Sequence, residues 1–67
     1  MTHFLLVYDQ AAGRVLEIEE FADADRGAAL DKRFALERKH ADDPNLEVIV
    51  LSAANRKALE ATHARYF

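Results

Sequence analysis

Three segments of the chain have the apolar patterns of β-strands. His3–Asp9 is apolar on both of its alternating faces, which predicts a strand that is covered on both sides. Val15–Phe21 alternates apolar and acidic residues, as a half-exposed strand does, and Gln10–Gly13 forms the turn between these two strands. Leu46–Leu51 contains four consecutive apolar residues, so we predict a third strand that is buried on both faces.

The alternation also predicts how the first two strands pair. A turn over Gln10–Gly13 places Asp9 opposite Arg14. The pairs that follow along the strands are Val7 with Leu16, Leu5 with Ile18, and His3 with Glu20. A shift by one residue would place Glu17 and Glu19 among the aliphatic side chains, because side-chain direction reverses at every residue. We therefore expect one sheet face to carry Leu5, Val7, Leu16 and Ile18.

A helix is predicted between the second and third strands. Asp23 or Asp25 begins it, since a short acidic side chain accepts hydrogen bonds from the free amides of a first helical turn. The helix continues to about His40 or Ala41. The segment Asp42–Asn45, which contains a proline, then ends it and turns the chain.

A last helix is predicted to begin at Ser52 or Asn55 and to end near Tyr66, which completes the order β-β-α-β-α. A right-handed crossover lays the third strand beside the first. The sequence therefore predicts a single α+β domain over residues 1–67, with a three-stranded antiparallel sheet in the order 2-1-3. Both helices are expected to pack on one face of the sheet, the face that carries the four aliphatic side chains.

In this arrangement the other sheet face has no helix to cover it. That face carries apolar residues from all three strands, and the third strand also has an open apolar edge. Uncovered apolar surface and unprotected strand edges are typical of interfaces. We therefore predict self-association as a homodimer, or binding to another protein, through Phe4, Leu6, Tyr8, Val15, Ile49 and Leu51.

Composition restricts the partners and the compartment. A chain of 67 residues buries a small core, so a partner subunit is an expected source of stability. Cysteine is absent, which excludes disulfides and thiolate metal sites. The net charge of −3, with Glu17 and Glu19 expected beside Phe4 and Tyr8, disfavours nucleic acid. The chain has no apolar segment long enough to cross a bilayer and does not start as a signal peptide does, so we expect a cytoplasmic protein.

The residue pattern predicts no catalytic, cofactor or metal site. His3, His40 and His63 are scattered along the chain without the spacing of a zinc motif. The two glycines are isolated, so no phosphate-binding loop is expected. Ser52 is interpreted as a helix cap, because a nucleophilic serine also needs a placed base and an orienting group.

One polar candidate lies on the first helix. Arg33 and Glu37 are four residues apart, between two apolar sides of the helix, and form either a surface salt bridge or a polar anchor at an interface. We expect a non-enzymatic interaction module that self-associates. The alternative is a small enzyme or ligand-binding protein whose site, formed by Arg33, Glu37, His63 and Tyr66, lies in a cleft between subunits.

Overall fold

The computed structural model describes residues 1–67 and contains one antiparallel sheet and two helices. The strands are β1 (Thr2–Asp9), β2 (Arg14–Phe21) and β3 (Leu46–Ala53), and the helices are α1 (Arg26–Lys39) and α2 (Arg56–Thr62). Short 3-10 helices lie at Asp23–Asp25 and at Ala64–Tyr66. The strand order is β2-β1-β3, so the predicted α+β class, element order and sheet topology are confirmed.

The central strand β1 is buried on both of its faces. Phe4 and Leu6 have no exposed surface, and Leu5 and Val7, which point to the opposite face, are each 2% exposed. Removing a side chain of this size from water contributes about 1.5–3 kcal/mol. Each face of β1 therefore needs its own apolar cover.

The two helices supply these covers from opposite sides, which corrects the expectation that both would pack on one face. Leu36 of α1 packs against the cluster of Leu5 and Val7, whereas Leu59 of α2 belongs to the cluster of Phe4 and Leu6. With α1 on one face, the aromatic and aliphatic side chains of the other face leave water only beneath α2. The expected uncovered apolar face is therefore absent from this structure.

The pairing of β1 with β2 follows the predicted register only next to the turn. Asp9 pairs with Arg14 as predicted, but Leu16 has no partner, because a β-bulge shifts every later pair by one residue. The predicted pairs beyond the bulge, Val7 with Leu16, Leu5 with Ile18, and His3 with Glu20, are therefore wrong. Ile18 instead lies opposite Leu6 and packs against the cluster beneath α2.

The same shift places two glutamates on the face covered by α1. Glu17 lies opposite Val7, and Glu19 lies opposite Leu5. This position is tolerated because β2 is an edge strand, where a carboxylate reaches water, and because Lys32 of α1 forms an ion pair with Glu19. The sequence had indicated that the two glutamates share a face with Phe4 and Tyr8. That expectation is wrong, because the bulge turns Glu17 and Glu19 to the opposite face.

Side-chain hydrogen bonds connect the β1–β2 turn to the start of β3. Gly13 has a φ of 67°, as its position in the turn requires. The Asp9 carboxylate accepts hydrogen bonds from the Ala12 amide at 2.9 Å and from the Asn45 side chain at 2.7 Å. These hydrogen bonds, that of Ala12 foremost, lower the pKa of Asp9. Asn45 also accepts from the Ala11 amide, so the turn and the β3 entry form one unit.

For each helix, the sequence offered two residues as the possible start, and the structure uses one of them. Asp25 precedes α1, although its side chain makes no capping hydrogen bond. Asn55 caps α2, where its side-chain oxygen accepts from the Ala58 amide at 2.8 Å. Ser52 lies inside β3 and is not the cap of α2. Neither helix combines the length and apolar character that a membrane span requires.

The covering role of α2 can be measured with a cavity-forming substitution. Leu59→Ala should lower the free energy of unfolding by about 2–4 kcal/mol, because it removes a fully buried side chain between α2 and the sheet. Leu16→Ala is the matched control, since Leu16 is 43% exposed on the bulge and should cost less than about 1 kcal/mol. Urea unfolding measures both. Equal losses for the two variants would contradict the packing of α2 on the sheet.

Candidate functional site

The two edges of the sheet differ in how they are protected. Edge strand β2 carries the bulge and four charged residues, Arg14, Glu17, Glu19 and Glu20. Edge strand β3 is eight residues long, has Glu47 as its single charged residue, and contains neither proline nor glycine. Bulges and charges are the devices that prevent a strand edge from pairing with another chain. β2 has a bulge and four charges, whereas β3 has no bulge and a single charge, so the outer edge of β3 is the less protected template for strand pairing.

Helix α1 has an apolar flank on the same side as this edge. Lys32 reaches Glu19 of β2, so the Lys32 side of α1 is turned toward β2. At about 100° per residue, Phe34 lies about 200° around the helix from Lys32 and is turned away from β2. Phe34 is 53% exposed, and Leu30, one turn earlier, is half-buried. We call the outer edge of β3, together with Leu30, Arg33, Phe34 and Glu37 of α1, the β3 flank.

The Arg33–Glu37 pair lies on the β3 flank. The Arg33 Nε atom donates to Glu37 Oε1 at 2.9 Å, and each side chain is 40% exposed. An ion pair with this exposure contributes at most about 1 kcal/mol to stability. On the helical wheel the two residues lie about 100° and 140° around α1 from Lys32, so the pair places one positive and one negative group between the side turned toward β2 and Phe34.

His63 and Tyr66 lie on the other side of the sheet from the Arg33–Glu37 pair. The Tyr66 ring packs edge to face on Tyr8, with ring centroids 4.9 Å apart, on the sheet face covered by α2. His63 ends α2, and its backbone amide donates to the carbonyl of Leu59. One chain therefore does not bring the four predicted polar residues together.

Tyr66 fastens the C-terminal turn to the sheet. Its hydroxyl donates to Glu47 Oε1 at 3.1 Å, and the Tyr8 hydroxyl donates to the carbonyl oxygen of Arg65 at 3.3 Å. Burial raises the pKa of Tyr66, and the hydrogen bond to the Glu47 carboxylate raises it further. Tyr66 and Tyr8 therefore have a structural role, because their hydrogen bonds hold the C-terminal turn against the sheet.

The six predicted interface residues have different positions in the structure. Phe4 and Leu6 are fully buried and Tyr8 is 8% exposed beneath α2 and the C-terminal turn, so they provide almost no contact surface. Val15 is half-buried on β2. Ile49 and Leu51 are half-buried on β3 and are the two that lie along its open edge.

One polar cluster was missed by the sequence reasoning. The Ser52 hydroxyl is 2.7 Å from His3 Nδ1, and His3 Nε2 is 3.3 Å from the carbonyl oxygen of Asp23 and 3.8 Å from its carboxylate. A carbonyl oxygen only accepts, so the hydrogen of a neutral His3 lies on Nε2, and Ser52 donates to Nδ1. The β1–β3 register would have predicted this contact, because His3 lies opposite Ser52 in it.

This cluster has the partners of a base-activated serine, but it lies away from the cavity of the chain. The one cavity of the chain, about 80 Å³, lies between α1 and β2 and is lined by Leu5, Val7, Glu17, Ile18, Glu19, Lys32 and Leu36. None of Ser52, His3 and Asp23 lines it. A structural role accounts for the three residues, because His3 is 5% exposed and connects β3 to the short helix before α1.

No group of three or more histidine, aspartate and glutamate side chains is arranged to hold a metal ion. His3 lies beside Ser52, His63 ends α2, and His40 follows α1 with its Nε2 atom buried and without a hydrogen-bond partner. The three histidines therefore occupy separate places in the fold.

The raised pKa of Tyr66 predicts a loss of stability at alkaline pH. In the unfolded chain a tyrosine loses its proton near pH 10, whereas folded Tyr66 holds its proton to higher pH. Stability from this group is complete below the unfolded pKa and decreases as pH rises through the folded pKa. Urea unfolding at a series of pH values from about 8 to about 11 should show a smaller alkaline decline for Tyr66→Phe than for the native chain. Identical declines would contradict this role.

No family model matches this chain, and the comparisons with curated proteins and with solved structures also give no match.

Proposed function

We propose that this protein is a non-enzymatic interaction module that self-associates by extending its sheet through the outer edge of β3. The observation that carries the proposal is the contrast between the two edge strands. β2 has a bulge and three glutamates, whereas β3 offers eight residues with one charge and no bulge. A second copy is the partner that presents a complementary edge of equal length.

The pairing that fits this edge is antiparallel and two-fold symmetric. In such a pair each β3 lies beside the other β3, and the two sheets form one six-stranded sheet in the order 2-1-3-3-1-2. The symmetry axis is perpendicular to the sheet, so both copies of α1 lie on the same face. Backbone hydrogen bonds supply the pairing energy, and the half-buried side chains of Ile49 and Leu51 become covered.

The small size of the folded chain supports association. Only 11 of 67 residues are buried, and β1 supplies most of them. A domain of this size has little stability of its own, and binding of a second folded copy stabilises the native state by mass action. Homodimerisation would therefore strengthen the fold as well as cover the free edge.

The role of the β3 edge can be tested with two matched isoleucines. Ile49 on β3 and Ile18 on β2 are both half-buried and both pack against the cluster beneath α2. Ile49→Lys should abolish the dimer, because near the two-fold axis the new ammonium groups of the two copies face each other across the paired strands. Ile18→Lys should cost similar monomer stability and keep the dimer.

The measurement is sedimentation velocity at micromolar concentrations, with circular dichroism to show that each variant is folded. The native chain should sediment near twice its mass of 7.6 kDa. A monomer at every accessible concentration would refute self-association. Loss of the dimer in Ile18→Lys but not in Ile49→Lys would place the interface on the β2 side.

The alternative function is acyl transfer by Ser52. The observation in its favour is the 2.7 Å contact between the Ser52 hydroxyl and His3 Nδ1, with Asp23 on the other side of the imidazole. We expect no reaction, because the cavity of the chain lies away from this hydroxyl and a nucleophilic serine needs a bound, oriented substrate.

A fluorophosphonate probe distinguishes the two functions. Intact-mass spectrometry after incubation should show no covalent adduct on the native chain. An adduct that is present on the native chain and absent from Ser52→Ala would support the enzyme.

A further inference from the structure

A dimer formed only by two strand edges would have a narrow interface. Eight residues of β3 extend over about 27 Å, and adjacent strands are about 4.8 Å apart. A stable interface usually covers about 800 Å² on each partner, whereas the whole chain exposes 4328 Å². The paired strands form a strip that is too narrow to reach such an area, so neighbouring elements must also make contact.

Helix α1 is at the right distance from the symmetry axis to make that contact. It packs on β1 and β3 more extensively than on β2, so it lies toward the β3 side of the sheet. A helix axis above the space between β1 and β3 would be about 4.8 Å from the two-fold axis beside β3, and the two helices would then be about 10 Å apart. Packed helices are typically 8–10 Å apart. The two copies of α1 would therefore meet directly.

The helix surface that would meet its copy is apolar and self-complementary in charge. Phe34 and Leu30 lie on the β3 flank. Phe34 is 53% exposed, because no other part of the chain covers its ring. Arg33 and Glu37 add one guanidinium and one carboxylate, both 40% exposed. Two antiparallel copies of this surface place each guanidinium toward the carboxylate of the other copy.

We infer that the α1 helices of two copies pack antiparallel across the two-fold axis, with the Phe34 rings in contact and with Arg33 of each copy bound to Glu37 of the other. This inference rests on the proposed pairing of β3. It specifies the partner as a second copy of this chain. Recognition depends on the contact of the two Phe34 rings and on the two ion pairs of Arg33 with Glu37 beside them. Arg33 and Glu37 would then determine which chains pair, since mismatched charges repel at this contact.

Mixing two charge-reversed chains tests the exchange of partners. Arg33→Glu gives each copy two carboxylates at this place, and Glu37→Arg gives each copy two guanidinium groups. Each variant alone should dimerise at least about fivefold more weakly than the native chain, because like charges meet across the axis. A mixture of the two should form heterodimers in clear excess over the one-half expected from random pairing. Native mass spectrometry measures the three dimers, whose masses differ.

Lys32 and Glu19 provide a matched control. They form an ion pair on the β2 side of α1, with side chains 45% and 44% exposed. Lys32→Glu mixed with Glu19→Arg should give random pairing, because β2 is the sheet edge farthest from the proposed pairing of β3. Excess heterodimer in this control as well would show a general charge effect and overturn the inference.

Substitution of Phe34 gives a second test that does not depend on charge exchange. Phe34→Glu should weaken the dimer at least about tenfold, since two carboxylates would replace the central apolar contact. Leu16→Glu, at another exposed apolar side chain on the β2 edge, should leave the dimer unchanged. Both positions are exposed in the single chain, so neither variant should disturb its fold.

The outcomes separate this inference from the proposed function. A native chain that stays monomeric refutes both. A native dimer that is lost in Ile49→Lys, but shows random pairing of the charge-reversed chains and no effect of Phe34→Glu, keeps the β3 pairing and refutes the helix contact.

Discussion

The burial of β1 on both faces is the constraint on which the rest of this structure depends. Its aliphatic and aromatic side chains alternate between the two faces, and Phe4 through Val7 are almost completely inaccessible. A strand with this pattern requires a cover on each side, so the crossover helix α1 occupies one face and α2 the other. The hydrogen bonds of Tyr8 and Tyr66 then hold the C-terminal turn over the second face. Both helices cover the faces of the sheet, so the outer strand edges of β2 and β3 have no neighbouring strand.

The bare edges are physically different, and this difference favours association on one side. At β2 the bulge at Leu16 interrupts the pairing and the glutamates repel an approaching strand. At β3 the strand is eight residues long, with Glu47 as its one charge and no bulge. We assign the exposed Phe34 of α1 to the same surface, because Lys32 is turned toward β2 and Phe34 lies about 200° around the helix from Lys32. Strand pairing and helix packing would thus act over one continuous surface.

The polar side chains near the core mainly connect chain segments. His3 connects Ser52 of β3 to Asp23 before α1, and Asn45 connects the β1–β2 turn to β3. Such contacts satisfy groups that would otherwise lose hydrogen bonds to water on burial. Arg33 and Glu37, like Arg56 and Glu60, pair with each other at the surface and connect no distant segments. The position of Arg33 and Glu37 beside the exposed Phe34 is the reason to assign this pair to recognition of a second copy.

The hydrophobic pattern by itself determined the elements, their order and the topology of the sheet, because these follow from local periodicity and from the short connections between neighbouring elements. It also placed β1 at the centre, because a right-handed crossover from β2 sets β3 on the other side of β1. Only the tertiary structure decided the bulge at Leu16, because both faces of β1 are apolar and either register gives Ile18 an apolar face. The choice follows from the cover that α2 provides for Ile18 and from the ion pair of Lys32 with Glu19. The same holds for the contact between His3 and Ser52, 49 residues apart, and for the placement of α2. These features depend on packing between distant segments, and a local pattern of apolar and polar residues carries no information about which distant segments meet.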